Sequence, residues 1–140
     1  MRLFENKPQL THQAVMLMLT AAIKEAESQE QPQCIVIVDT SGELLGEIRM
    51  SGAKFLSRKS ALAKALTSAS VGKASNEIPE QVRPAIAAAT EGCITGLPGG
   101  LPIWFKGSLL GGIGIGSGTG DQDIAVARAA LLAINAETSL

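Results

Sequence analysis

The stretch Cys34-Ile-Val-Ile-Val-Asp39-Thr-Ser-Gly-Glu-Leu44 joins a run of β-branched residues to a turn sequence and to the first residue of a second run. Isoleucine and valine on consecutive positions favour a strand that is covered on both faces. Thr-Ser-Gly-Glu is typical of a turn, and the run that continues to residue 50 carries Glu47 and Arg49, which favours a more exposed strand. The stretch therefore predicts an antiparallel β-hairpin over 34–50.

Helical patterns lie before and after this hairpin. Thr11 precedes apolar residues at helical spacing and can cap the first amides of a helix, which predicts a helix over 11–29. Similar patterns predict helices over 57–71, 79–90 and 121–136.

The helix over 57–71 has two distinct faces. Its predicted inward face carries Leu62, Ala65, Leu66 and Ala69. Its predicted outward face carries Ser60, Lys64, Thr67 and Ser68. We therefore expect this helix to bury its leucines against the sheet.

A second hairpin is predicted near the end of the chain, where strand-like runs over 102–106 and 109–115 flank Gly107-Ser108. This register places Ile103 across from Gly112 and Gly100 near Ile115. The order of helix, hairpin, helices, hairpin and helix predicts an α+β fold, a three-layer sandwich with helices on both faces of a largely antiparallel sheet.

Composition limits the classes of protein to which this chain can belong. Its 140 residues, 46% apolar and 18% charged, predict a single domain over 1–140. A net charge of −1 without a block of like charge disfavours nucleic acid and anionic membranes as partners. No early apolar run approaches the length of a membrane span, so we expect a cytoplasmic protein. Alanine and glycine make up a quarter of the chain and aromatic residues only 3%, which limits the core and predicts a homo-oligomer.

The glycine-rich segment Gly111-Gly-Ile-Gly-Ile-Gly-Ser-Gly-Thr-Gly120 lies between a predicted strand and a predicted helix. It lacks the G-x-G-x-x-G spacing, and Asp121 and Asp123 would repel a pyrophosphate at the helix N-terminus, which argues against a dinucleotide site. Two interpretations remain. The glycines allow close backbone packing with a turn capped by Thr119 or Asp121, or their amides bind a small anion.

Few side chains carry obvious chemistry. His12 is the one histidine, and it is either an exposed residue or an axial haem ligand, with Met50 as a second candidate ligand. Cys34 and Cys93 lack zinc-site spacing and are interpreted as reduced core thiols. Asp39 is expected to accept hydrogen bonds from the amides of the adjacent turn.

A ligand site is predicted from cations and glycines. Arg49 and Lys64 lie close in sequence across the turn at Gly52, so we expect both to face a cavity bordered by Pro98, Gly99 and Gly100. Two cations beside exposed backbone amides suit a carboxylate or a haem propionate. The alternative is that both cations pair with surface acids such as Glu47 or Asp39.

The whole chain resembles the GlcG/HbpS-like family, small haem-binding-type proteins also found as the C-terminal domain of PduO-type cobalamin adenosyltransferases. The resemblance spans residues 10–135. It rests on the order and spacing of Val38-Asp-Thr-Ser-Gly-Glu-Leu44, Arg49-Met-Ser-Gly-Ala53, Ser57 followed by Ala63-Lys-Ala65, Pro98-Gly-Gly-Leu-Pro-Ile103, and Gly112-Ile-Gly-Ile-Gly-Ser-Gly118 followed by Asp121-Gln-Asp123.

The resemblance implies a five-stranded antiparallel sheet flanked by helices, of the profilin-like type, with a short fifth strand near 92–97. It also implies homo-oligomers and binding of haem or a related tetrapyrrole. Two function classes stay open: an accessory protein of a catabolic or cofactor pathway that binds a small molecule, and an accessory enzyme that acts on a small carboxylated catabolite. Binding is favoured because no acid/base pair is visible in the sequence.

Overall fold

Helices and strands follow one another in the order that the sequence predicts: helix, hairpin, helices, hairpin and helix. The computed structural model describes residues 1–138. The helices are α1 His12–Ser28, α2 Ser57–Val71, α3 Arg83–Ala89 and α4 Gly120–Ala133. The strands are β1 Cys34–Asp39, β2 Leu44–Arg49, β3 Gly100–Phe105 and β4 Ser108–Gly116. Two short 3₁₀ turns, Ser75–Glu77 and Glu80–Val82, precede α3, so the helix predicted over 79–90 is shorter than expected.

The four strands form one sheet in the order β2-β1-β4-β3, and all three neighbouring pairs are antiparallel. The predicted α+β class and antiparallel sheet are confirmed. Strand β1 is central and almost completely buried, whereas β2 is an exposed edge strand. Asp39 closes the first hairpin as expected, because its carboxylate accepts hydrogen bonds from the amides of Ser41 at 2.8 Å and Glu43 at 3.0 Å.

The fifth strand predicted near 92–97 is wrong, because that segment is not a strand. Its amides bond to hydroxyl groups instead of to a neighbouring strand. The amide of Thr95 donates to Thr67 Oγ1 at 2.9 Å, and the amide of Ile94 donates to Thr90 Oγ1 at 3.0 Å. These side-chain acceptors satisfy the backbone of a loop that crosses α2.

Alternate residues of β1 enter two separate hydrophobic clusters. Ile35 and Ile37 pack with residues of α1 and α4. Cys34, Val36 and Val38 pack with alanines of α2. This period of two is the expected consequence of a pleated strand with helices against both sets of side chains.

The predicted orientation of α2 is only partly right: Ala65 and Ala69 are buried as expected, but the predicted outward residues Lys64, Thr67 and Ser68 are buried as well. The residues that it buries are Ala61, Lys64, Ala65, Thr67, Ser68 and Ala69, whereas Leu62 is 37% exposed. The cause lies in β4. A Cβ atom on Gly112 would overlap the carbonyl oxygen of Ala65, and one on Gly114 would overlap that of Ala61. The helix backbone lies so close to the strand that only small side chains fit between them.

The second hairpin turns one residue earlier than predicted. Lys106 and Gly107 occupy the turn with φ values of 48° and 81°, as in a tight two-residue hairpin loop. A register shift between Ile103 and Trp104 then aligns Ile103 with Gly111. Gly100 pairs with Gly114 and therefore lies near Ile115 as predicted, but the predicted pairing of Ile103 with Gly112 is wrong by one residue.

Candidate functional site

Lys64 and Asp123 form a buried ion pair beneath the loop at 98–100. The Lys64 Nζ atom donates to Asp123 Oδ2 at 3.0 Å and to the carbonyl oxygen of Ile115 at 2.6 Å. The second carboxylate oxygen, Oδ1, accepts from the amide of Gly118 at 3.1 Å. Lys64 is only 5% exposed and Asp123 only 3%. The pair therefore connects α2, β4 and α4 through charge-assisted hydrogen bonds.

Burial affects the protonation of the Asp123 carboxylate. Desolvation raises the pKa of Asp123 above its ordinary value of 3.8, and the positive charge and hydrogen bond of Lys64 oppose that shift. The carboxylate is thus held in an environment that favours its neutral form more than water does. Asp123 was not singled out as a site residue in the sequence. One signal was available, since Asp123 precedes Ala127 by one helical turn and therefore shares the inward face of α4.

The loop of Pro98, Gly99 and Gly100 packs directly on Lys64, whereas the sequence predicts that Lys64 faces a cavity bordered by this loop. The amide of Ile115 donates to the carbonyl oxygen of Gly99 at 3.0 Å, so this loop adjoins the glycine strand. The packing is tight. A Cβ atom on Gly99 would lie 2.9 Å from the Asp123 Cβ atom and 3.1 Å from Lys64 Nζ, and φ of Gly99 is +119°. Glycine is required here so that the loop can lie directly on the ion pair.

Arg49 does not join Lys64 as predicted. Arg49 is exposed on the edge strand β2 and pairs with Cys34 of β1, whereas Lys64 reaches Ile115 of β4, beyond β1. Within residues 1–138, Arg49 forms no ion pair with Glu47 or Asp39. It lines a separate open depression of about 590 Å³ with Met50 and Ser51.

The remaining side chains singled out in the sequence lie apart from the ion pair. His12 is the first residue of α1 and is exposed. Cys34 is fully buried, and desolvation raises the pKa of its thiol, which suits an inert core cysteine. Cys93 is exposed, so its interpretation as a core thiol is wrong. It lies in the loop that replaces the predicted fifth strand.

A second opening lies between the two hairpin turns and α2, near the start of β4, whereas the ion pair lies near the end of that strand. We call this cavity of about 790 Å³ the hairpin groove. Leu66, Ile94, Trp104 and Leu109 supply apolar surface. Hydroxyl groups come from Thr40, Ser41, Ser70, Thr90 and Ser108. Lys7 adds an ammonium group and Cys93 a thiol. An aromatic and aliphatic lining with a few polar groups is typical of small-molecule sites.

Trp104 is held in the wall of the hairpin groove by the end of α2. Its indole Nε1 donates to the carbonyl oxygen of Gly72 at 3.0 Å. Gly72 ends α2 with φ of 71°, and a Cβ atom there would lie 3.1 Å from the indole ring. Local sequence does not mark Trp104 as a site residue, because a lone tryptophan in a strand is more often a core residue.

Residues 1–138 hold no group of three or more histidine, cysteine, aspartate and glutamate side chains placed to share a metal ion. Over the same residues, no helix is long and apolar enough to cross a bilayer.

Known proteins resemble this chain along most of its length. It is 34% identical to the corrinoid adenosyltransferase PduO of Citrobacter freundii, over 92% of this chain and 40% of that protein. It therefore spans about two-fifths of that relative. It is also 30% identical to an uncharacterized 15.0 kDa protein of Citrobacter freundii from the dhaT-dhaS intergenic region, over 90% of this chain and 95% of that one.

Solved structures resemble it as well. A crystal structure described as a PduOC:heme complex superposes with a TM-score of 0.87 at 29% identity, covering 95% of this chain and all of that one. A crystal structure of HbpS superposes with a TM-score of 0.82 at 30% identity, covering 93% of each chain. Residues 10–132 match the family described as haem degrading protein HbpS-like, and the chain belongs to that family.

Proposed function

We propose that this chain binds a haem or a related tetrapyrrole in the hairpin groove. The observation that carries the proposal is the groove itself, an opening of about 790 Å³ with Trp104, Leu66 and Leu109 in its wall. This volume lies within the range of pockets that enclose small molecules, about 300–1,000 Å³. The related PduOC structure in complex with heme supports this choice of ligand class.

The groove fits a flat, amphipathic ligand. Apolar side chains from α2 and β4 contact a macrocycle through its faces and edges, while hydroxyl groups from the two hairpin turns remain available to polar substituents. Lys7 also lines the groove, and its ammonium group, which lies 3.4 Å from Glu5 Oε1 at the surface, suits a propionate that would replace this ion pair. Bound haem would supply iron coordination and redox chemistry.

Cys93 is the residue to test first as an iron ligand. Histidine, cysteine, methionine and tyrosine side chains ligate haem iron, and Cys93 is the one residue of these types in the groove lining given by residues 1–138. His12 is not among the lining residues, so axial ligation by His12 is a separate prediction. The two predictions make opposite claims about the variants Cys93→Ser and His12→Ala.

The ligand contacts predicted for Arg49, Lys64, Pro98, Gly99 and Gly100 stay predictions. A direct contact with Lys64 requires the loop above it to move, because Gly99 packs on its ammonium group. Arg49 borders the separate depression near Ser51, so a ligand there would lie outside the hairpin groove.

The proposal extends to assembly and cellular setting. We infer a cytoplasmic homo-oligomer that acts as an accessory protein in a catabolic or cofactor pathway. Its support is the small core of an alanine-rich and glycine-rich chain, together with large apolar side chains such as Phe55 and Leu56 that remain exposed.

Titration with haemin tests the ligand class. We expect a Soret band that saturates at one haemin per chain and that shifts in Cys93→Ser but not in His12→Ala. A shift in His12→Ala alone would favour ligation by histidine. The absence of any saturable spectral change in the wild-type protein would contradict tetrapyrrole binding.

A further inference from the structure

The outward face of α2 carries the large apolar side chains of this segment. Since the inward face must be small to pack on the glycines of β4, Leu62 remains exposed, and Leu66 is only partly buried against the cluster that contains Val36 and Val38. At about 100° per residue, Leu56, Leu62 and Leu66 fall within one arc of about 120°. Leu56 is 65% exposed and Leu62 37% exposed. A single helix normally shows the opposite arrangement.

A neighbouring loop extends this apolar surface. Leu97 is 53% exposed, and it lines a shallow cavity of about 390 Å³ together with Leu62 and Leu66. We call the surface formed by Leu56, Leu62, Leu66 and Leu97 the α2 face. A contiguous apolar surface of this kind is a sign of an interaction site.

Charges at the rim of the cavity indicate which partner fits. Lys59 and Glu91 both line it, and both are exposed. Neither belongs to an ion pair within residues 1–138. When two copies meet around a twofold axis, each residue of the surface faces a different residue of the same surface. Lys59 of one copy can then pair with Glu91 of its partner, twice in the interface.

We propose that the α2 face is the interface between two copies of this chain. The leucines form its apolar centre, and the two reciprocal Lys59 and Glu91 pairs form its rim. The inference rests on the proposed homo-oligomer and adds its location. The interface also adjoins the hairpin groove, because Leu66 and Cys93 line both cavities.

Sedimentation velocity over a dilution series tests the proposal, with variants designed on the α2 face. Leu62→Glu should raise the dissociation constant of the dimer about thirtyfold, because it places a charge in the apolar centre of the interface. Lys59→Glu and Glu91→Lys should each raise it about fivefold, since a like-charge pair replaces an attraction. The combined swap, Lys59→Glu with Glu91→Lys, should return it to within about twofold of wild type.

Leu132→Glu is the matched control, because Leu132 is 64% exposed on α4 and lies outside the α2 face. It should leave association unchanged, and circular dichroism should show that all variants fold. A wild-type particle of 14.5 kDa at micromolar concentration would contradict both the oligomer and this interface. If the protein is an oligomer but Leu62→Glu leaves its dissociation constant unchanged, the proposed interface is contradicted and the oligomer is not. The same holds if the combined charge swap does not restore the dissociation constant. Haemin titration of wild type tests ligand binding independently.

Discussion

At the scale of single residues, burial changes the role that a side chain plays. Residue type alone marks Lys64 as a solvated cation or a ligand contact, and helical spacing assigns it to the outward face. In the fold it is buried against Asp123, because neighbouring small residues turn that face toward β4. The sequence predicts a cavity between Lys64 and the Pro98 loop, but it does not predict that glycine packing would cover the ammonium group.

Lys64→Met should destabilise the protein by about 3 kcal/mol, because it leaves the Asp123 carboxylate buried without its partner. Adding Asp123→Asn should recover about half of that loss, since the asparagine oxygen can still accept from the amide of Gly118 and the unpaired charge is gone. Urea unfolding of wild type, the single variant and the double variant measures this. A double variant less stable than Lys64→Met would show that the charge on Asp123 is not what costs free energy.

The loss in Lys64→Met should depend on pH. Removing Lys64 removes the two largest influences that lower the pKa of Asp123, its positive charge and its hydrogen bond, so that pKa rises further above 3.8 in the folded protein. A folded carboxyl group with a raised pKa binds its proton at a higher pH than the unfolded chain does. Stability is therefore gained as pH falls through the folded pKa toward 3.8.

We therefore expect the difference in unfolding free energy between wild type and Lys64→Met to shrink as pH falls from 7 toward 4. The double variant Lys64→Met with Asp123→Asn is the control and should show no such narrowing. A constant difference across this range would contradict a desolvated Asp123 carboxylate.

At the scale of elements, alternation and turn chemistry predict the strands well and helix orientation poorly. The residues of β1, the turn at Asp39 and all of α2 follow from local patterns, because these depend on nearby residues. The face that α2 buries depends on a distant strand, since Gly112 and Gly114 set how closely the helix backbone approaches. The prediction of a fifth strand is wrong for a related reason. Amides of that segment donate hydrogen bonds to threonine hydroxyl groups on other segments instead of to a neighbouring strand.

Gly114→Ala should therefore be strongly destabilising, by about 3 kcal/mol or more, because its methyl group would overlap the Ala61 carbonyl oxygen. Gly107→Asn is the matched control. Gly107 has φ of 81° and nothing within 4 Å of its Cβ position, and asparagine tolerates this backbone conformation. We expect that control to cost less than about 1 kcal/mol. Thermal unfolding compares the two, and equal losses would contradict direct packing of helix on strand.

At the scale of the whole molecule, the fold places its openings at the ends of the hairpins. The sequence predicts a ligand site near Arg49 and the Pro98 loop, but Arg49 lies on β2 and the loop leads into β3, so β1 and β4 separate the two. The hairpin groove arises instead where the turns at Gly42 and Gly107 meet α2 and Trp104. No local pattern marks this site, because residues far apart in the chain supply its walls.

Haemin titration of two variants, one that fills the hairpin groove and one that fills the depression beside Arg49, tests most directly whether haem binds in the hairpin groove. Ser70 is exposed on α2 and lines the hairpin groove, while Ser51 is exposed and lines the depression beside Arg49. Ser70→Trp should fill the groove and weaken haemin binding at least about tenfold, and Ser51→Trp should leave the affinity unchanged. Loss of binding in Ser51→Trp, with Ser70→Trp unaffected, would place the ligand beside Arg49 and contradict the hairpin groove as the site.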